Sequence, residues 1–386
     1  MTCRIKNNHF DLAMELLTEN GFDGIADTVS LLMNTAMQIE RSRYLQAEPY
    51  ERTEQRQSYA NGYKAKTFKT RVGKVNLAVP QTRDCEFYPQ SLERGLRSER
   101  ALKIALAEMY VQGVSTRKVA KITEELCGFE VSSSEVSRAS KALDEQLQAW
   151  RGRPLGQFPY VYMDARYEKV RHNGVIIDCA VLLAIGISHS GHREVLGVSV
   201  KLSEQEVHWR DFIGVLKDRG LHGVKLFISD AHKGLKAARK AIFPSVPWQR
   251  CQFHLQQNAQ SYVPKRSMKK EVAGRIRAIC TAPDNQEALR LLDIFLGDYK
   301  DSAPELVTWA QEALPEGLVV FNMPQQHWQR LRTDNMLERL NKEVFRRTRV
   351  ATLFPNTASC LRIVSAVVME ISDDWETGKA YLNMSQ

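Results

Sequence analysis

The chain has no closely paired cysteines. Its seven (Cys3, Cys85, Cys127, Cys179, Cys251, Cys280 and Cys360) are scattered without a CxxC pair, and their number is odd. A disulfide framework is therefore not expected, and dispersed thiols suit a reducing compartment. Long apolar runs are missing too. The longest, Val175–Ile187, contains Asp178 and is too short for a bilayer span, and no signal-peptide pattern is recognisable. The expectation is a cytoplasmic protein without a membrane partner. Negative charge is in deficit, with 45 Asp and Glu against 54 Lys and Arg, a net +9. That balance favours a polyanionic partner, although many basic proteins bind none. A hydrophobic content of 43% argues against wholesale disorder, and 386 residues leave room for two or three domains.

What is present is organised around the stretch from Gln325 to Arg349. From Thr333 onward the pattern predicts a helix, with Thr333 or Asp334 as N-cap and Met336, Leu337, Leu340 and Val344 as one apolar stripe. Glu338 points away from that stripe, in a sector shared with Asp334, Asn341, Lys342, Arg346 and Arg349. A carboxylate flanked by cations suits a metal site beside a polyanion; an ordinary surface helix with ion pairs has the same pattern. Glu343 falls at the edge of the stripe and is expected to point into the protein, while Asp334 reads as a cap for free N–H groups. Trp328, between His327 and Arg330, suits stacking on an unpaired base or packing against a core.

Two further acids stand at predicted strand ends. Pro159–Asp164 reads as a strand ending on Asp164, and Val224–Ser229 as a buried strand leading to Asp230. Tyr167–Arg171 and Val175–Ile187 flank a hairpin turn at His172-Asn173-Gly174, and Glu194–Leu202 follows a second turn. A helix over Val207–Arg219, another from about Lys233 to Ile242 and a short strand near Val246–Arg250 come next. Three antiparallel strands, then helix, strand, helix, strand, is the order of a ribonuclease-H-like sheet. Gln252 to about Val320 is nearly all helical, so an insertion separates the last strand from the Glu338 helix. Singly, Asp164 and Asp230 read equally well as strand-end turns. With Glu338 they make three carboxylates on separate elements, as a two-metal phosphoryl-transfer site needs.

The N-terminal part has a different texture. Residues 1–50 are helical, with Ile25, Val29, Leu32, Met33 and Ala36 at helical spacing, and suit packing or dimerisation. In the next stretch Lys64, Lys66, Lys69, Arg71 and Lys74 alternate roughly with apolar residues around the turn signal Asn61-Gly62. A strand pair with one basic face would track phosphate; a merely solvated face is the other reading. Residues 97–148 predict three helices. Ser115 caps the second, which carries Arg117 and Lys118 and has Val119, Ile122 and Leu126 inward. A Ser132/Glu135 capping box opens the third. There Ser134, Ser137, Arg138 and Lys141 share the face opposite Val136, Ala139, Leu143 and Leu147. The layout fits a helix-turn-helix reader and generic three-helix packing equally.

Several longer motifs carry a resemblance. They are Tyr59-Ala60-Asn61-Gly62-Tyr63, Gly113-Val114-Ser115-Thr116-Arg117, Tyr162-Met163-Asp164-Ala165 and Ser229-Asp230-Ala231-His232-Lys233-Gly234-Leu235. Arg250-Cys251-Gln252-Phe253-His254, His327-Trp328 through Arg349, Phe354-Pro355-Asn356 and Asp373-Asp374-Trp375 continue the series. In this order and over nearly the whole chain, they make it resemble bacterial insertion-sequence transposases of the Mutator-like family. The resemblance implies a DDE-type ribonuclease-H-like core with Asp164, Asp230 and Glu338 as the catalytic and metal-binding triad, two Mg²⁺ ions per site, and Mn²⁺ as a substitute. It marks Cys251 and His254 as a family pair; their spacing could suggest zinc, but no second nearby pair supplies four ligands, so a structural packing and hydrogen-bonding role is expected. It implies double-stranded DNA as partner (terminal inverted repeats and target), a homodimer or larger assembly on DNA, and a nucleoid-associated location. One departure is Asp334, where threonine is more usual.

The fold expected is thus α/β: a ribonuclease-H-like mixed sheet interrupted by an all-helical insertion, with N-terminal helical and helix-turn-helix-like regions. The expected divisions are 1–50, 51–96, 97–150, 151–251, 252–325 and 326–386. The expected DNA contacts are Lys64, Lys66, Lys69, Arg117, Lys118, Ser134, Ser137, Arg138, Lys141, Trp328, Arg332, Asn335, Arg339, Lys342, Arg346, Arg347 and Arg349. A DNA-binding regulator with an idle core is the competing function.

Overall fold

A computed structural model describes residues 8–84, 86–92, 94, 97–141, 143–349 and 353–384. The chain divides into two compact units, Met1–Leu143 and Asp144–Gln386.

In the first unit α1 (Asn8–Asn20) and α2 (Ile25–Leu45) precede a hairpin of β1 (Ala60–Thr70) and β2 (Gly73–Thr82). Alternation along β2 puts Val75, Leu77 and Val79 on one face, where Met37 of α2 and Leu92 join them, with Val29 and Met33 alongside. The helical region and the basic strand pair therefore share one core. Of the residues at helical spacing, Leu32 is 48% exposed, while Met37 is fully buried. Asn34 fixes the contact by accepting from the backbone N–H of Ala78 at 2.7 Å.

Three helices follow: α3 (Arg100–Val111), α4 (Thr116–Cys127) and α5 (Ser133–Lys141). Ser115 accepts from the N–H of Lys118, Gly128 closes α4 at φ +67°, and Ser132 and Glu135 make the expected reciprocal capping box. Leu126 does not face inward; it is 75% exposed, and Thr123 is buried in the turn below Val119. The actual stripe steps by four from Val119 through Thr123 to Cys127. The predicted helix through Leu147 is also divided: α5 ends at Lys141, and Leu147 lies on α6 (Asp144–Gly152) in the second unit. There Arg362 clamps Asp144 through both guanidinium edges at 2.6 and 2.8 Å, so α6 packs on the C-terminal helix.

The second unit is built on a five-stranded mixed sheet. Its members are β3 (Tyr160–His172), β4 (Val175–Ile187), β5 (Arg193–Lys201), β6 (Leu226–Ser229) and β7 (Trp248–Arg250), in spatial order β5-β4-β3-β6-β7. β3, β4 and β5 are antiparallel neighbours, whereas β6 and β7 join parallel to β3. Asn173 at φ +48° and Gly174 at φ +82° make the tight β3–β4 turn. One sheet face carries Val161, Met163, Leu182, Ala184 and Leu196 against Trp209, Phe212, Ile213 and Leu216 of α7 (Glu206–Asp218) and Leu235 and Ala238 of α8 (Lys233–Ile242).

Helices α9 (Gln252–Ala259), α10 (Lys269–Cys280), α11 (Asn285–Tyr299) and α12 (Pro304–Ala313) follow β7. The short α13 (Trp328–Leu331), then α14 (Asn335–Thr348) and α15 (Thr357–Thr377), return to the sheet. No described helix is long and apolar enough to cross a membrane.

Candidate active site

β3 does not end at Asp164; it continues to His172. What ends there is its parallel partner. β6 pairs with β3 only from Tyr160–Leu226 to Met163–Ser229, so Asp164 and Asp230 are the first residues beyond the paired segment on two adjacent strands. That position sets the site. Both acids line one cavity of about 330 Å³ with Glu204, His232, Arg250 and Asn258.

Period-two alternation places Tyr160, Tyr162 and Asp164 on the sheet face opposite Val161 and Met163. That face meets the chain returning from the insertion. The Tyr160 hydroxyl contacts His327 Nδ1 at 2.8 Å, and the Tyr162 hydroxyl donates to the carbonyl of Arg330 at 3.0 Å. Asn341, on α14, donates from Nδ2 to Asp164 Oδ2 at 2.8 Å. Arg166 donates to the carbonyl of Asn341 and pairs with Glu168 at 2.8 Å, while the Thr348 hydroxyl donates to the same Glu168 oxygen at 2.8 Å. Beyond the end of β6, then, α14 runs along the exposed flank of β3 and is fixed to it by polar contacts.

Asp164 is half-buried. Burial, and next the nearby charge of Asp334, push its carboxyl up to about 7. Asp230 is partly open, with Oδ1 accepting from the Ala231 N–H at 2.7 Å. Glu338 stands three residues before Asn341 and, with Arg166, Asn341, Lys342 and Phe345, lines a shallow depression separate from the Asp164–Asp230 cavity. The structure therefore brings two predicted acids into one cavity and the third onto the helix clamped beside it. The carboxylate sharing the cavity with the two aspartates is Glu204, which sequence reasoning missed. It accepts from the Tyr167 hydroxyl at 3.1 Å and lies 3.3 Å from His232 Nδ1. It sits in the irregular link before α7, where no hydrophobic period marks it.

Two expectations for α14 are overturned. Asp334 makes no side-chain cap; it is fully buried, and its carboxylate instead meets Cys251 Sγ at 2.9 Å and His254 Nδ1 at 3.4 Å. Glu343 does not point inward: its side chain is 47% exposed and pairs with Arg346 at 2.9 Å, because the buried stripe turns through Met336, Leu337, Leu340, Val344 and Thr348.

The predicted DNA-contact residues fall into two groups. Lys64, Arg117, Lys118, Ser134, Ser137, Arg138, Lys141, Asn335, Arg339, Lys342, Arg346 and Arg349 are exposed. The others have internal partners. Lys69 pairs with Glu135 at 2.6 Å, Lys66 reaches the Tyr88 hydroxyl at 3.3 Å, and Arg347 forks onto Glu370 at 2.8 and 3.1 Å. Trp328 donates to the Met323 carbonyl at 2.7 Å and packs edge-on against Phe321. Arg332 is partly buried, and its carbonyl accepts from the Gln252 N–H at 2.9 Å.

The sequence matches the family described as transposase, Mutator family, over residues 5–378. It is 54% identical over 387 residues to the transposase for insertion sequence element IS406 of Burkholderia multivorans, covering all of both chains. Identity is 38% to the transposase for insertion sequence element IS256 in transposon Tn4001 of Staphylococcus aureus, over 98% of this chain and 99% of that one. It is 35% to the transposase for insertion sequence element IS1081 of Mycobacterium tuberculosis, over 97% of this chain and 90% of that one. The chain belongs to the Mutator family of transposases.

Proposed function

We propose that the protein cleaves DNA at the ends of its insertion sequence and transfers the freed 3′-hydroxyl ends to target DNA, using Asp164, Asp230 and Glu338 on a ribonuclease-H-like sheet. One observation carries this reading: Asp164 and Asp230 leave adjacent parallel strands into one cavity, and the helix carrying Glu338 is bonded to Asp164 through Asn341.

The donor set fits hard divalent cations. A half-buried carboxyl pushed up to about 7, beside a second carboxylate lining the same cavity, is a site whose ionised form calls for added positive charge. Asp164 and Asp230 would hold Mg²⁺, or Mn²⁺ in its place, with Glu338 completing the set. Bound there, two such ions supply charge neutralisation and alignment for an in-line displacement at phosphorus.

The rest falls to the chain. Asn341 holds Asp164 Oδ2, fixing the carboxylate's rotation. Arg339, Lys342, Arg346 and Arg349 offer exposed cations along α14 for the phosphates flanking the cleaved bond. In the N-terminal unit, Arg138 and Lys141 on α5 and Lys64 on β1 are exposed and suited to the terminal repeats. The test is incubation of the purified protein with its own element ends and Mg²⁺. Wild type should nick and join, and Asp164→Asn or Asp230→Asn should bind the ends without cutting. Cutting by both variants at near wild-type rate would falsify the assignment.

A further inference from the structure

Behind the acid edge lies a second cluster of different chemistry. Cys251 is the residue before α9 and His254 its third residue, so both side chains sit on the first turn of that helix. Asp334, the residue before α14, faces them. Ligand atoms of the three lie within 4.8 Å of one another, and among the described residues no other Cys, His, Asp and Glu side chains form such a group. Both strand and helix are fixed around it: the Cys251 N–H donates to the Ser229 carbonyl, and the Gln252 N–H to the Arg332 carbonyl, each at 2.9 Å.

We propose that Cys251, His254 and Asp334 form a zinc site that staples the start of α9 to the start of α14. Two observations support it. First, the Asp334 side chain is 1% exposed, yet its Oδ2 and His254 Nδ1 are buried without hydrogen-bond partners. They stand 3.4 Å apart, in ion-pair range but not aligned as donor and acceptor. Two nitrogen or oxygen ligands on a tetrahedral zinc, each at about 2.0–2.1 Å, lie about 3.3 Å from each other. Second, a thiolate, an imidazole and a carboxylate together match zinc better than the hard cations expected at Asp164 and Asp230. His254 is 26% exposed, leaving a path for water to the fourth position.

The experiment uses the full chain purified from zinc-supplemented medium, desalted and analysed for metal, with Co²⁺ replacing zinc in a second preparation. Wild type should retain about one zinc per chain, and its Co²⁺ form should show a near-ultraviolet thiolate charge-transfer band. Cys251→Ser should lose that band. Asp334→Asn, which keeps the shape and removes the charge, should weaken zinc at least about tenfold and serves if the serine variant does not fold. Asp164→Asn and Asp230→Asn should keep both zinc and the band. A folded wild type that retains no zinc and gives no band overturns the proposal. So does a band that survives Cys251→Ser or vanishes equally in Asp164→Asn.

Discussion

Two groups of polar side chains flank the start of α14, and they are built in opposite ways. The acid edge is spread out: Asp164 and Asp230 open onto one cavity, and Glu338 onto its neighbour. The Cys251–His254–Asp334 cluster is compact, with a fully buried carboxylate and only His254 partly exposed. The open set has room for a larger ligand and its counter-ions, whereas the compact set ties the start of α9 to the start of α14. Electrostatics link them, since the charge of Asp334 is one cause of the raised Asp164 carboxyl. A preassembled cluster can thus set both the position of α14 and the field at the acid edge.

The largest expected effect separates the two groups by chemistry. Asp164→Asn, Asp230→Asn and Glu338→Gln should each lower Mg²⁺-dependent cleavage of end DNA by at least about a hundredfold, while end binding in a gel-shift assay stays near wild type. Asn341→Ala comes next. Removing the donor to Asp164 should reduce cleavage or raise the Mg²⁺ requirement by about ten- to a hundredfold, the usual range for a group that orients a ligand. An unchanged Mg²⁺ titration would show that Asn341 only packs.

The third effect is on stability. The folded Asp164 carboxyl lies above its ordinary value of 3.8, so folding takes up a proton between about pH 4 and about pH 7. Metal-free stability from this group therefore falls as pH rises through that window and levels off above it. Asp164→Asn should flatten the fall and stabilise the metal-free protein at pH 8 by on the order of 1–3 kcal/mol. Thermal unfolding in a chelator reads it, and an unchanged pH profile would contradict the burial argument. Similar in free energy are the exposed cations of α5. Arg138→Ala and Lys141→Ala should each cost about 1–3 kcal/mol of discrimination between end and random DNA if they reach base edges. Equal losses on both DNAs would make them phosphate contacts. Smallest is Glu343→Gln, whose exposed pair with Arg346 should be worth under about 1 kcal/mol in unfolding and leave cleavage intact.

Much of the architecture was legible because hydrophobic period and turn chemistry agree. The Asn173-Gly174 turn, the strand through Ile187, the helix Lys233–Ile242 and the buried stripe of α14 all lie where pattern places them. β3 was misread for a physical reason. Past Asp164 its backbone still pairs with β4, but β6 has ended and part of the strand is exposed, so the apolar signal fades while the strand continues. Asp334 was misread because its partners are remote. A carboxylate before a helix looks like a cap until Cys251 and His254, far back in the chain, are folded against it. Glu204 left no trace, since a lone acid in a link carries neither period nor motif.

The assignment of the third acid is the central claim, and Glu204 is its structural rival, being in the same cavity as both aspartates. The decisive measurement is Mg²⁺-dependent cleavage of end DNA by Glu338→Gln and Glu204→Gln side by side, with folding checked by thermal unfolding. Glu338→Gln is expected to be inactive and Glu204→Gln to cut at a rate within about tenfold of wild type, because Glu204 is already engaged by Tyr167 and His232. A cutting Glu338→Gln beside an inactive, folded Glu204→Gln would contradict that assignment and move the third carboxylate from α14 to the link before α7.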